Sequence, residues 1–408
     1  MTEKFSAEFY INNRARLRTL FKGTAPIVIT AHGLLQQGGD STYRFHQDGS
    51  FLYLTGISAP DIILVIDKDK EYIVLPERTH VSETFDGVND LVEFTKTSGI
   101  VEVLDSKTGW KKLSSRLKRV KHVATLAPLP EYVDVFGFYS NPSRTALMNR
   151  VKEINPTIEP LDLRQHLSVM RMVKQAPEIV AIQSAIDITI ASFKDVKKKL
   201  PKLTYEYEVE AIFNAGFRGR GADGHAFSAT IASGKNACIL HNESTNQPLQ
   251  QDGLLLMDVG AEVHRYAADI TRTINVGKEP TKRQQNVFEA VCEVQDYAFE
   301  LLKPGVTIRD NEKLIEQFMG EKLRSLGLIR NVESEEIRRF FPHATSHFLG
   351  LDVHDTGDYE RPLEPGVVLT VEPGIYISEE GIGVRIEDDV LITETGCEIL
   401  SKRLPRVL

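Results

Sequence analysis

LLLMDVGAEVHRYAADITRTI, residues 254–274, decides how the second half of the chain folds. Two apolar runs each carry one aspartate, Asp258 and Asp269, and a short polar stretch from Glu262 to Tyr266 separates them. β-rich runs bounded by turn residues predict a β-hairpin. The two aspartates are centred between Val263 and His264, so an even-numbered loop centred there predicts Asp258 directly opposite Asp269. Directly opposed residues share a face, with Cβ atoms roughly 4.5–5.5 Å apart. Two carboxylates so close in an apolar hairpin repel each other and lose hydration. A divalent metal offsets both effects at once.

The same geometry recurs near the C-terminus. LTVEPGIYI (369–377) and GIGVRIEDDVLI (381–392) flank the polar turn Ser378-Glu379-Glu380. Glu372 and Glu387 are centred between Glu379 and Glu380, which predicts that they face each other. Arg385 lies two residues before Glu387 and shares its face. Two hairpins, each offering a carboxylate pair inward, frame a metal site. Surface loops are the ordinary home of Asp and Glu, and Asp388 and Asp389 fit that description. For Asp258, Asp269, Glu372 and Glu387 it would require charges to interrupt buried strands by accident, twice.

The chain has 408 residues, too many for one ordinary core, so two domains are expected. It is 41% hydrophobic and 26% charged, as in a soluble globular protein. A net charge of −8 argues against a general nucleic-acid binder. No apolar stretch is long enough to span a bilayer, and the N-terminus lacks the apolar core of a signal peptide. Cys238, Cys292 and Cys397 lie far apart and form no CxxC, which suits a reduced, cytoplasmic protein.

The first part alternates helical and strand patterns. A helix is expected over 7–22, then strands at PIVIT, FLYLTGI, DIILVID, EYIVLP, VEVLD and HVATLA, then a helix over 142–153. This is an α/β domain, without a glycine-rich phosphate loop after any strand. The stretch RFHQDGSFLYLTG (44–56) reads as a loop entering a core strand. A boundary near residue 168 divides domains 1–167 and 168–408. Beyond it, Ile179, Ile182, Ile186, Ile190 and Phe193 recur at helical spacing after Pro177. Thr281 with Gln284 reads as a capping box. The helix it opens buries Val287, Val291, Val294, Ala298 and Leu301 and stops at Pro304-Gly305. A third helix covers roughly 311–326 and ends at Gly327.

FPHATSHFLGLDVHD (341–355) holds three of the eleven histidines. His343 and His347 are spaced as in HExxH, but Ala344 stands where the glutamate would be, so a zincin is excluded. His241 follows the apolar run ACIL. A lone histidine is usually a surface or satisfied core residue; clustering with glycines on one segment points to function. Carboxylate-rich ligation with one or two imidazoles suits a hard metal such as manganese, with iron, cobalt and zinc also compatible. Two such metals lie roughly 3.5–4 Å apart and clamp both the attacking and the carbonyl oxygen.

The ordered motifs ASGKNACILH, MDVGAEVHRYAADITRT, HATSHFLGLDVHD, TVEPGIYI and GVRIEDD resemble those of the pita-bread metallopeptidases. That family includes methionine aminopeptidase, prolidase and aminopeptidase P. The likeness covers most of residues 170–400 and implies an α+β pita-bread catalytic domain. STYRFHQDGSFLYLTGI is similar to the N-terminal α/β domain of the aminopeptidase P branch, the Xaa-Pro aminopeptidases. The resemblance implies five metal ligands: Asp258 on one metal, Asp269 and Glu387 bridging, His347 and Glu372 on the second. It places His241, His343 and His354 on the substrate side, Arg385 in support of the carboxylates, and Tyr376 near the site. The implied reaction is attack on the carbonyl before proline by a hydroxide held between two divalent ions. Glu372 would shuttle the proton and His354 would donate to the carbonyl oxygen or tetrahedral intermediate. The substrates implied are short peptides with proline second, bound by their free amine. The first domain would restrict access and contribute to a homo-oligomer, a dimer or tetramer. Prolidase, which cleaves Xaa-Pro dipeptides, shares the metal motifs. A creatinase-like amidinohydrolase works without this metal set. A non-catalytic pita-bread binding module would have lost the ligands, and here all five remain.

Overall fold

The structure, a computed structural model, describes residues 5–128, 137, 139–243 and 245–407. Two compact units divide the chain, Lys4–Met170 and Arg171–Leu408.

The N-terminal unit is built on a six-stranded mixed sheet. Its strands are β1 (Ile27–Thr30), β2 (Ile63–Asp67), β3 (Lys70–Val74), β4 (Val103–Leu104), β5 (His122–Thr125) and β6 (Glu159–Asp162). Their order across the sheet is β4-β3-β2-β1-β5-β6. Val28, Val65 and Val74 meet Trp110 and Leu113, on the helix Ser106–Leu117, and Val151, on the helix Ser143–Ile154. One sequence expectation fails here. FLYLTGI is no strand; Gly49–Thr55 is a helix, capped by Asp48, whose side chain accepts from the Phe51 amide, and closed by Gly56 at φ 69°. Every residue of it is buried, and an apolar run that is buried all round carries no periodicity to tell helix from strand. The flanking aspartate and glycine were the available signals.

In the second unit the helix Ala176–Lys199 buries Ile182, Ile186, Ile190 and Phe193. Next come the helix Glu206–Gly219, β7 (Gly224–His225) and β8 (Thr230–Ser233). The central ribbon is β9 (Leu254–Val259), β10 (Ala261–Val263), β11 (Tyr266–Ala267) and β12 (Ile270–Asn275). Thr281 caps the helix Lys282–Leu301 through the Gln284 amide in a full capping box. Thr307 caps the helix Ile308–Ser325. The C-terminal ribbon is β13 (Val368–Val371), β14 (Gly374–Ile377), β15 (Ile382–Arg385) and β16 (Asp388–Ile392), with β17 (Cys397–Ile399) beside β16. One apolar core joins the two helices to this ribbon, through Val291, Val294, Ile315, Met319, Leu369, Val371, Val384 and Val390.

Both ribbons are antiparallel and both are interrupted beside their acidic residues, the first at Gly260 and 268–269, the second at 372–373 and 386–387. In the first, Val259 pairs Ile270, Asp258 pairs Thr271, and Val263 pairs Tyr266. The turn is therefore His264-Arg265, both at positive φ, 51° and 69°. Its centre lies one residue beyond the position expected from sequence. Asp258 consequently faces Thr271, and Asp269 is its diagonal neighbour. A one-residue move of the centre shifts each partner by two, so both aspartates keep a common face. The second ribbon has the expected register: Ile377 pairs Ile382, Gly374 pairs Arg385 and Val371 pairs Asp388. Glu372 and Glu387 sit opposite each other where the ladder is interrupted. Asp388 and Asp389 are buried, not surface carboxylates. Arg272 pairs with Asp388 at 2.6 Å, and Asp389 accepts from the Asp269 amide at 3.1 Å.

Candidate metal centre

The ribbon breaks bring the acidic residues to one place. Ligand atoms of Asp269, His347 and Glu387 all lie within 4.8 Å of one another. His347 Nε2 is 3.5 Å from Asp269 Oδ2 and 3.3 Å from Glu372 Oε1. Asp258 joins through Arg385, whose guanidinium reaches Asp258 Oδ2 at 2.6 Å. The His354 ring packs edge-on against His347, with centroids 4.3 Å apart. His343 Nδ1 lies 3.7 Å from Glu372 Oε2. His241 is exposed, close enough to His343 and His354 for its charge to lower their basicity.

Hydrogen bonds fix the protonation of the imidazoles. His347 Nδ1 faces the Phe348 carbonyl at 3.1 Å, so it carries the proton and Nε2 presents its lone pair to the carboxylates. Burial pushes the His347 pKa down to about 3, with the His354 charge adding to the effect. Burial and then the Arg385 charge do the same to His343, also to about 3. Arg385 donates to the Tyr376 hydroxyl at 2.8 Å. That hydroxyl lies 2.8 Å from His343 Nε2, and His343 Nδ1 lies 2.8 Å from the Ala344 carbonyl. A neutral His343 satisfies the whole chain with every donor pointing one way, from Arg385 to Ala344.

The carboxylates carry the opposite perturbation. Burial raises Asp269 well above its ordinary range, and Glu387, Asp258, Asp389 and Glu372 raise it further. Glu387 is raised by burial, then by Glu372 and Asp258. Glu372 is raised by burial, with Arg385 opposing. Oδ1 of Asp258 and Oδ1 of Asp269 are buried without a hydrogen-bond partner. Such an atom is costly to leave unsatisfied. Four carboxylates, a neutral imidazole lone pair and two orphaned oxygens fit divalent cations, which lower all of these costs together.

Sequence reasoning missed the supports. Thr271, fully buried, donates to Glu387 Oε2 at 2.6 Å and accepts from Arg385 Nε at 3.2 Å. Thr370 accepts from the His347 amide at 3.1 Å. Asp389 fixes the Asp269 backbone. Alternation along DITRT would have placed Thr271 on the aspartate face; nothing in the sequence distinguished Asp389 from a surface residue.

A largely buried carboxylate–imidazole cluster between two antiparallel ribbons is the arrangement that the pita-bread class of metal-dependent hydrolases uses. The chain belongs to metallopeptidase family M24, whose pattern matches residues 180–394. Residues 10–124 match the aminopeptidase P N-terminal domain. The chain is 33% identical to a Xaa-Pro aminopeptidase of Haemophilus influenzae, over 99% of this chain and 96% of the relative. Among solved structures it is similar to aminopeptidase P from E. coli, with TM-score 0.85 and 29% identity over 99% and 97% of the two chains. It is likewise similar to proline aminopeptidase P II from Yersinia pestis, with TM-score 0.83 and 30% identity over 99% and 98%.

Proposed function

We propose that the protein removes the N-terminal residue from peptides whose second residue is proline. The observation that supports this most is the full-length likeness, across both units, to Xaa-Pro aminopeptidases. The bond before proline has no N–H and a fixed φ, so a protease that holds its substrate as an added strand handles it poorly. A site built on side chains has no such requirement.

Asp258, Asp269, His347, Glu372 and Glu387 are the ligands we assign to two divalent ions, with manganese first choice for an oxygen-rich set. Such ions, when bound, supply an activated water and positive charge for the developing oxyanion. Arg385 and Thr271 hold Asp258 and Glu387 in place. Glu372 accepts the proton of the attacking water and passes it to the leaving proline nitrogen. His354, beside His347, donates to the carbonyl oxygen as charge develops there. His241 and His343 line the substrate side. Because both His343 nitrogens are engaged within the protein, we assign it to shaping the wall rather than to proton transfer.

Among the described residues no helix is long and apolar enough to cross a membrane. With the three cysteines free, we place the enzyme in the cytoplasm. To the N-terminal unit we assign restriction of substrate length and assembly into a homo-oligomer, which light scattering would test. The decisive assay compares Xaa-Pro with Xaa-Pro-Yaa and longer peptides in the presence of manganese. Release of the first residue from the longer peptides supports the proposal. Hydrolysis of dipeptides alone would make the enzyme a prolidase instead. Metal analysis finding none bound per chain would favour a binding module.

A further inference from the structure

Glu206 is a fully buried carboxylate with no part in the chemistry above. It opens the helix Glu206–Gly219. Its Oε1 accepts from the Ser233 amide at 2.8 Å and from Asn236 Nδ2 at 2.9 Å. Its Oε2 accepts from the Thr245 amide at 3.1 Å and from Thr245 Oγ1 at 2.7 Å. These donors lie on both sides of His241 in the chain. Ser233 and Asn236 precede it around the tight turn Gly234–Cys238, and Thr245 follows it. One carboxylate thus closes the base of the loop that carries His241.

The arrangement is more than a loop needs. Connections between strands usually satisfy their polar groups with water. Here the same helix start ties down the following stretch as well: the Glu206 amide donates to the Gln247 carbonyl at 3.1 Å, and the Leu249 amide to the Thr204 carbonyl at 2.7 Å. Asn242, next to His241 and itself buried, donates to the Ile231 carbonyl at 3.3 Å. Four donors fill the acceptor capacity of a carboxylate, and no neutral side chain offers four acceptor sites without a donor. Bonds to an ionised acceptor are also the shorter and stronger kind. His241 itself is exposed, so its own packing does not fix its position.

We propose that Glu206 is the positioning residue for His241: its carboxylate clasps both ends of the loop and holds the imidazole at the substrate side. The inference rests on the substrate-side role given to His241 above. Glu206→Gln keeps the shape but turns a donor toward donors. It is expected to lower kcat/KM on a Xaa-Pro-Yaa peptide about tenfold, mostly through KM. On a His241→Ala background the same change should cost nothing further, because the loop then has no imidazole to place. Amide hydrogen exchange should quicken across residues 236–243 in Glu206→Gln and stay unchanged in the ribbon 254–274. Should Glu206→Gln fail to fold, Thr245→Val removes one of the four bonds and should show the same pattern at about threefold. Equal losses with and without His241, or unchanged exchange in the loop, would overturn the proposal. Normal kcat/KM in His241→Ala would remove His241 from the site; the exchange result would then decide separately whether Glu206 holds the loop.

Discussion

The two ribbons perform the same task with different turns. In β9–β12 the chain reverses through two residues, His264 and Arg265, both left-handed. In β13–β16 it reverses through the four residues 378–381, and only Gly381, at φ 63°, is left-handed. The second turn is the easier to find, because glycine and short polar residues mark it. The first belongs to the type that favours Asn-Gly, and His-Arg gives no such mark. The register of one ribbon was therefore legible to the residue and that of the other was off by one turn position. Faces survived the error, and with them the clustering of the carboxylates, because strand periodicity is two. What a reader of sequence loses is the partner: Thr271, not Asp269, stands opposite Asp258.

The largest effect expected from breaking this arrangement is in the second ribbon. Glu372→Gln should lower kcat by about 10²–10⁴-fold, the range for loss of a general acid–base group, with the circular dichroism spectrum unchanged. Near-normal turnover would remove Glu372 from proton transfer. Next comes the link between ribbons. Thr271 stands on the first and donates to Glu387 on the second, so Thr271→Val should weaken manganese binding about 10–100-fold, measured by titration calorimetry. An unchanged Kd would mean that each ribbon orients its ligands alone.

The turns themselves give smaller effects. His264→Val forces a β-branched residue into the left-handed region and should cost about 1–2 kcal/mol in urea unfolding. Gly381→Ala should cost about 1 kcal/mol for the same reason. If only the glycine substitution matters, the His264-Arg265 turn is not held as described. A separate, pH-dependent effect concerns the anchor of the first ribbon. Tyr266 donates to Glu178, whose carboxyl burial raises from its ordinary 4.5 to about 7. Between those values the folded protein binds a proton that the unfolded chain releases, so stability falls as pH rises through this window. Glu178→Gln should flatten the dependence of the urea midpoint between pH 5 and 8. An unaltered slope would show that other groups set it.

The remaining differences between sequence and structure share a cause. Hydrophobic periodicity placed the helices Ala176–Lys199 and Lys282–Leu301, whose stripes face one way and whose caps are conventional. It failed at Gly49–Thr55, which is buried on every side. The acidic residues of the cluster were legible because charge inside an apolar strand is anomalous. Asp389 was not, since it follows Asp388 at what reads as a strand's polar entry. Glu206 was not, because only folding brings Ser233 and Thr245 to one carboxylate.

Gly260 interrupts the first ribbon between its two aspartates, and a Cβ there would lie 1.6 Å from the Ala268 carbonyl oxygen. The backbone at that kink has no room for any side chain, so it cannot drift to accommodate a longer or shorter neighbour. The close approach of Gly260 to Ala268 thus draws together the two backbone segments that carry the aspartates. Under the ligand assignment proposed above, ion preference would be altered by exchanging donor atoms at constant reach, for instance oxygen for nitrogen, because one more methylene at Asp258 would overshoot this close approach.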